Sequence, residues 1–466
     1  MSATRLVAKN TAIQILGKGI STALGIAVIA LVTRALLPAG FGQYTNVITF
    51  VSFFGIIADL GLTLITAQMI SEKDADEEKI LGSILSFRIV TAFALFTLAP
   101  IVAMVTPYPA IVKWGIAIAA WSFFFVSVTQ TMVGVFQKHL AMHFPMIAEN
   151  AGRVALLGIT IYGAYTGRNV LWFLSAVAAG NIVNFLFVQY YVRRFVRLRL
   201  AWNTEVIAEM WRRSVPIAIS IIFNLVYLKA DMLILSFVRP DVDVGLYGAA
   251  YRVIDILMMI PVMLIGVILP IATRAWSEGD AARVRRAIQK TFDAFMMYAI
   301  PVLVGGLLVA DRIMVLVAGS GFARSGAALQ VLLFAFFFAT VSTLFGHFIV
   351  ALAHQRRVVW VYASDAVLAL AAYLFFIPKF GLFAAAWATV GSELYAAIVL
   401  GAIVIRLTQL RLNANVLWRV VVSALCMSAA IFALSESAIP VAGIIVGAGA
   451  VYIASIGALR THKFLL

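Results

Sequence analysis

The chain has 466 residues, 64% of them apolar and 12% charged, with 35 Lys and Arg against 20 Asp and Glu and a formal net charge of +15. Soluble domains are about half apolar and a quarter charged, so this composition excludes an ordinary soluble globule, a disordered chain and a disulfide scaffold. It points to an integral membrane protein, and not to a β-barrel, because barrel strands alternate apolar and polar residues whereas runs such as 28–37 and 331–339 are unbroken.

Taken in chain order, apolar runs separated by charged or Gly/Pro punctuation predict an all-α chain of about fourteen transmembrane helices. They fall near 10–36, 41–70, 80–106, 110–136, 145–166, 169–192, 214–238, 243–273, 291–317, 324–353, 357–378, 381–405, 415–435 and 440–460. Each is long enough for a bilayer, which takes about 20 apolar residues per helix. The polar start, followed by a long apolar stretch without a small-residue cleavage site, does not read as a cleavable signal peptide. The single cysteine, Cys426, permits no intrachain disulfide. Lys and Arg are scattered among the spans instead of forming a basic domain, so no nucleic-acid partner is expected.

Loop charge sets the expected orientation. With the N-terminus inside, 23 of the 35 Lys and Arg fall in cytoplasmic segments, seven in outside segments and five within spans. Both termini are therefore expected in the cytoplasm. The longest connection, 193–213, is basic and cytoplasmic on this reading. It divides a lobe of six helices (1–192) from a second lobe of six (214–406), and 407–466 adds helices thirteen and fourteen. The halves echo each other: Phe41-Gly42-Gln43-Tyr44 opens span two as Val244-Gly245-Leu246-Tyr247 opens span eight, and Gly180 in span six parallels Gly391 in span twelve. A parallel repeat of this kind puts a substrate path at the interface of two lobes.

The run Tyr227-Leu228-Lys229-Ala230-Asp231-Met232-Leu233-Ile234-Leu235, followed by Val244-Gly245-Leu246-Tyr247-Gly248-Ala249-Ala250-Tyr251-Arg252 and by Ile268-Leu269-Pro270-Ile271-Ala272-Thr273-Arg274, resembles the second-lobe signature of polysaccharide flippases. Phe41-Gly42-Gln43-Tyr44 and Ile57-Ala58-Asp59-Leu60-Gly61-Leu62 look like the matching first-lobe motifs. The resemblance is to the Wzx-like oligosaccharide flippase branch of the multidrug/oligosaccharidyl-lipid/polysaccharide superfamily, and it covers essentially the whole chain. It implies a two-lobed transporter of the bacterial inner membrane that moves undecaprenyl-pyrophosphate-linked oligosaccharide from the cytoplasmic to the periplasmic leaflet by alternating access. The pathway would make O-antigen, capsule or exopolysaccharide. Membrane lipids, a polysaccharide polymerase and export machinery are the implied partners.

Ionisable groups inside a bilayer are costly and mark candidate sites. The five intramembrane cations are Lys18, Arg88, Arg153, Lys229 and Arg252. The first three lie near the cytoplasmic ends of spans one, three and five, where an entering pyrophosphate would meet them. Arg suits phosphate through paired hydrogen bonds and Lys as a point charge. On span one, Asn10, Gln14, Lys18 and Ser21 recur at helical spacing and share a face. Span seven repeats this with Ser220, Asn224, Tyr227 and Asp231. Both stripes read as cavity walls, with close helix packing as the plain alternative. Asp59, Glu149, Asp231 and Asp255 are coupling or ion-pair candidates. Glu149 and Arg153 are spaced i, i+4 and Arg252 and Asp255 i, i+3, so each couple can meet on one helix face. No cofactor or metal is expected. Coupling to protons or sodium is a route open to Asp59 or Glu149.

Walker A, Gly-x-Ser-x-Gly and His-Glu-x-x-His are absent from the sequence, so the chain does not read as an enzyme. A cation-coupled multidrug antiporter would favour twelve spans and an acidic cavity. A polytopic polysaccharide polymerase or glycosyltransferase would favour a long outside loop, and every outside loop here is short.

Overall fold

A computed structural model of the chain describes residues 3–72, 75–436 and 439–459. Helices are the only extended elements among them: α1 (Ala3–Asp59), α2 (Leu62–Ser71), α3 (Glu77–Met104), α4 (Ala110–Lys138), α5 (His143–Tyr165), α6 (Val170–Val192), α7 (Thr204–Val238), α8 (Asp241–Ser277), α9 (Ala281–Ala318), α10 (Ser325–Ala351), α11 (Gln355–Phe380), α12 (Leu382–Thr408), α13 (Asn415–Ser435) and α14 (Val441–Ala458).

The first apolar stretch, α1, consists of two helices joined at a kink, which falls where the sequence divides spans one and two. The part after the kink, 38–59, alone runs about 33 Å at 1.5 Å per residue, enough for the roughly 30 Å hydrocarbon core. The kink is at Leu37, whose φ of 57° and ψ of 176° are non-helical. The cause is local: Pro38 disfavours the α conformation at the residue before it and supplies no N–H. The second half ends at Leu60-Gly61, both at positive φ, before α2 resumes. Among the described residues, eleven stretches are long and apolar enough to cross a membrane, or up to twelve if one bent pair in α7 counts as a span. The count of fourteen is thus approximate. Leu16–Ser71 counts as one stretch although the Leu37 kink divides it, and α5, which carries Glu149, Asn150 and Arg153, falls outside that set. Large apolar side chains such as Phe375, Leu425 and Ile453 stand exposed, as lipid-facing surface requires and a soluble surface avoids. The chain is a multi-pass membrane protein.

Helices α7 and α9 run about ten residues longer at their N-terminal ends than the predicted spans, because hydropathy marks only the membrane-length part of each. The added turns, 204–213 and 281–290, are amphipathic and charged. Asn203 caps α7 by accepting from the Val206 N–H at 3.0 Å, and Asp280 caps α9 by accepting from the Arg283 N–H at 2.8 Å.

The chain forms two compact units, Met1–Gly245 and Leu246–Leu466. In the first, α4 and α6 pack together, α3 packs on α4, and α5 joins α6 to α1. Helix α7 packs on α1, α2 and α3. Its core runs through Val47, Val51, Ala92, Ala99, Val112 and Ile116. The connection before α7 folds back on α3: the Ala201 N–H donates to Gly82 O at 3.4 Å, and Trp202 and Trp211 flank Phe87. In the second unit, α10 lies between α9 and α12, and α11 covers α12. Helices α13 and α14 pack on each other and on α9, where the Tyr452 hydroxyl donates to Met297 O at 2.7 Å.

Candidate functional site

The polar face of α1 lies against α5. Lys18 Nζ is 3.1 Å from Glu149 Oε1, and the Ser21 hydroxyl donates to the same oxygen at 2.6 Å. Beside them Asn150 Nδ2 donates to Gly17 O at 3.2 Å and to Met146 O at 2.8 Å. One turn beyond Ser21, Gly25 faces the Arg153 guanidinium at an ordinary contact distance, 4.0 Å from where a Cβ would stand. A Cβ on Gly17 would crowd the Met146 side chain at 3.0 Å. Gly17 thus lets α1 and α5 pack closely beside the charged groups.

The i, i+4 couple of Glu149 and Arg153 does not close as an ion pair. Glu149 turns to Lys18 on the other helix, and Arg153 forms no ion pair within 4.0 Å among the described residues, although its charge acts on Glu149 through space. The Lys18 side chain is 47% exposed and that of Glu149 23%. The stripe therefore serves as both a packing face and an open polar wall. Gln14 is half-buried on it. The side chains of Asn10, Ser220 and Asn224 lie outside the described residues.

Arg88, expected in the same cavity, lies elsewhere and is fully enclosed at 0% exposure. Its Nη2 donates to Asp59 Oδ1 at 2.6 Å and to Thr63 Oγ1 at 3.3 Å, its Nε to Thr131 Oγ1 at 3.0 Å, and its Nη1 to Ala58 O. Asp59 also accepts from the Thr63 hydroxyl at 2.5 Å and from the Gly61 N–H at 3.3 Å. The location explains the arrangement. The last carbonyls of a helix lack partners and carry a partial negative charge, and a guanidinium satisfies both needs at the end of α1. Arg88 joins α1, α2, α3 and α4, and in this conformation four of its contacts are already committed.

On α7, Asp231 and Tyr227 are buried and Lys229 is half-buried. Arg252 and Asp255 on α8 stand 3.5 Å apart, both about two-fifths exposed. Two further carboxylates are buried in the second unit. Asp365 Oδ1 accepts from the Ser392 hydroxyl and Glu393 Oε2 from the Ser342 hydroxyl, each at 2.8 Å. The other oxygen of Asp365 has no hydrogen-bond partner among the described residues. The sequence marks both acids as intramembrane, but their serine partners sit on other helices, at separations of 27 and 51 residues, and no local spacing reveals them.

The two motif glycines meet. A Cβ on Gly42 would overlap the Asp241 carbonyl oxygen, and one on Gly245 would overlap the Pro38 carbonyl oxygen. Asn46 Nδ2 donates to Asp241 Oδ1 at 2.7 Å beside this contact. The Pro38 kink and the start of α8 can approach this closely only because both positions lack side chains.

No group of three or more His, Cys, Asp or Glu that could hold a metal occurs among the described residues.

Similarity to known proteins bears out the family resemblance. Over 398 residues, 82% of this chain and 93% of the relative, the sequence is 23% identical to the "Putative O-antigen transporter" of Shigella flexneri. The structure superposes on the inward closed conformation of the lipid II flippase MurJ with a TM-score of 0.82, at 13% identity, covering 97% of this chain and 99% of that one. It also matches an inward-facing multidrug resistance MATE family transporter of the MOP superfamily with a TM-score of 0.70, at 16% identity, covering 84% and 95%. At these identities the two superpositions speak to the fold, which is that of the superfamily the motifs suggest. Residues 7–276, more than half of the chain, match the family described as "Polysaccharide biosynthesis protein", and the chain belongs to that family.

Proposed function

We propose that the protein is a flippase, not an enzyme, that carries undecaprenyl-pyrophosphate-linked oligosaccharide from the cytoplasmic to the periplasmic leaflet of the bacterial inner membrane by alternating access. The observation that carries this reading is the half-open Lys18, paired with Glu149, which Ser21 also holds, with Arg153 one turn along α5 from Glu149. A pyrophosphate arriving there would compete with Glu149 for Lys18 and would find a second cation at the next turn. The family match and the O-antigen transporter relative support a lipid-linked glycan as cargo, and the loop-charge bias supports cytoplasmic termini.

On this reading 1–192 and 214–406 are the moving lobes and 407–466 flanks the second. Glu149, shared between Lys18 and Ser21, can exchange partners and is the better candidate for proton or sodium coupling. Asp59, fixed by Arg88, Thr63 and the Gly61 N–H, is the poorer one. Arg88 leaves the list of cargo contacts and becomes a brace.

The test compares Lys18→Ala and Arg153→Gln with the native chain in cells, at matched protein level, scoring surface polysaccharide and its lipid-linked precursor. The expected result is loss of the polymer with the precursor accumulating on the cytoplasmic leaflet. Native polymer levels in both variants would reject the anion contact.

A further inference from the structure

In the second unit, far along the sequence from the Lys18 cluster, the N-terminal turns of α9 carry Arg283, Arg285, Arg286 and Lys290. Up to its kink at Val309, α9 runs about 42 Å and outruns the roughly 30 Å hydrocarbon core by about two turns, so these residues belong at or beyond the bilayer surface. Here a cavity of about 190 Å³ opens between α9 and the connection from α12 to α13. Arg286, Gln289, Lys290, Asp293, Asn413 and Asn415 line it, and Val416 is its one apolar wall residue.

The wall is built, not incidental. Gln289 Nε2 donates to Asp293 Oδ1 at 2.8 Å and to Asn413 O at 3.1 Å, while its Oε1 accepts from the Asn413 N–H at 2.9 Å. This two-way link pins the connection to α9. Arg285 adds a bond to Thr408 O at the end of α12 at 3.2 Å. Asn413 Oδ1 accepts from the Asn415 N–H at 2.8 Å, which sets the first turn of α13 against the cavity with its N-terminal dipole positive. Arg286 and Lys290 bring two cations, and the one carboxylate, Asp293, is buried and already bonded to Gln289. Trp418, half-exposed one turn along α13, is the kind of residue that marks the headgroup level.

We propose that this cavity binds a phosphate ester held at the bilayer surface, the headgroup phosphodiester of an anionic phospholipid, with Arg286 and Lys290 supplying charge and Asn413 and Asn415 supplying neutral donors. Basic pockets between helix ends select anionic headgroups in this way. The site is separate from the proposed cargo contact, because it uses other helices and the other unit.

The full chain in detergent is titrated with phosphatidylglycerol, phosphatidylcholine and inorganic phosphate, and lipid retention is read by native mass spectrometry beside melting temperature. Phosphatidylglycerol should be retained and raise the melting temperature, while phosphatidylcholine and phosphate should do neither. The Arg286→Gln/Lys290→Gln double variant should bind phosphatidylglycerol about 30-fold more weakly, at roughly one charge contact each, yet melt like the native chain without lipid. Asn413→Leu, which fills the cavity and leaves the charge unchanged, should also lose the lipid. An equal loss in an Arg356→Gln/Arg357→Gln control would overturn the site in favour of general surface charge. Equal stabilisation by inorganic phosphate would overturn the lipid as ligand, and equal retention of phosphatidylcholine would overturn both.

Discussion

Arg88 and Lys18 are both cations of the first unit that meet a carboxylate, and the two meetings are built in opposite ways. Arg88 is enclosed, donates to four partners and ties α3 to α4 and to the break between α1 and α2. Lys18 makes one 3.1 Å contact and remains 47% exposed. A pair with an enclosed cation is weak evidence for a net gain in stability, but breaking it costs stability, because the groups the cation held lose their donor. An exposed pair contributes little and exchanges easily. The difference teaches that an intramembrane cation marks a site only when its donors remain available. By that criterion the proposed cargo contact rests on Lys18 and Arg153, and Arg88 belongs to the scaffold.

The largest effect should come from breaking the enclosed pair. Arg88→Ala would leave Asp59 unpaired and the Ala58 carbonyl without its donor. A loss of about 2 kcal/mol is expected, chiefly from the acceptors left without a donor, since Asp59 itself is 38% exposed. Arg88→Lys should recover only part of it, since an ammonium cannot span Thr131, Ala58 and Asp59 together. Thermal unfolding in detergent reads both, and an Arg88→Ala protein that melts like the native chain would return Arg88 to the list of cargo contacts.

The open pair should respond in the reverse sense. Lys18→Gln, Glu149→Gln and the double variant are each expected to change stability by less than about 1 kcal/mol, while polysaccharide export fails wherever Lys18 is missing. Melting temperatures measured beside export decide the matter. If the double variant restores export that either single variant loses, the pair is structural and the contrast with Arg88 collapses.

Much of this was legible in the sequence. The fourteen apolar runs coincide with helices because bilayer-length hydropathy is a strong signal, and the predicted gap between spans one and two, 36–41, holds the kink that Pro38 causes. Gly42 and Gly245 stood out as paired motif positions, and in the structure Gly42 packs on the Asp241 backbone and Gly245 on that of Pro38. The second pair in the repeat behaves otherwise: Gly180 packs against Gly152 on α5, whereas a Cβ on Gly391 would meet open space. The role of Arg88 was not legible. Its partners are 25 to 43 residues away, and sequence depth alone grouped it with Lys18. The choice of Glu149 was hidden for a related reason. The local spacing offered Arg153, while the partner it takes is 131 residues distant.

The smallest effect lies in the charged start of α7, where Arg212 and Glu209 form a pair more exposed than Lys18 and Glu149 and the contrast can be followed by pH. Glu209, in the charged N-terminal turns of α7, accepts from Arg212 at 2.9 Å and from Arg213 at 2.6 Å, and Arg213 also reaches Glu72 beyond α2. Hydrogen bonds from Arg212 and then Arg213 hold the Glu209 carboxyl at about 2, below its ordinary 4.5. A carboxyl lowered in the folded state contributes stability that is fully present above its ordinary value and is lost as pH falls towards the folded one. The native chain should therefore melt slightly above Glu209→Gln at neutral pH, and that gap should narrow from about pH 4.5 downward and close towards pH 2. Solvent and salt screen a pair whose cation is this exposed, so the gap should be small and should shrink further in high salt. Paired melting curves of the two proteins across this range supply the measurement. A gap independent of both pH and salt would mean that Glu209 acts through packing, and that exposure alone does not separate working cations from structural ones.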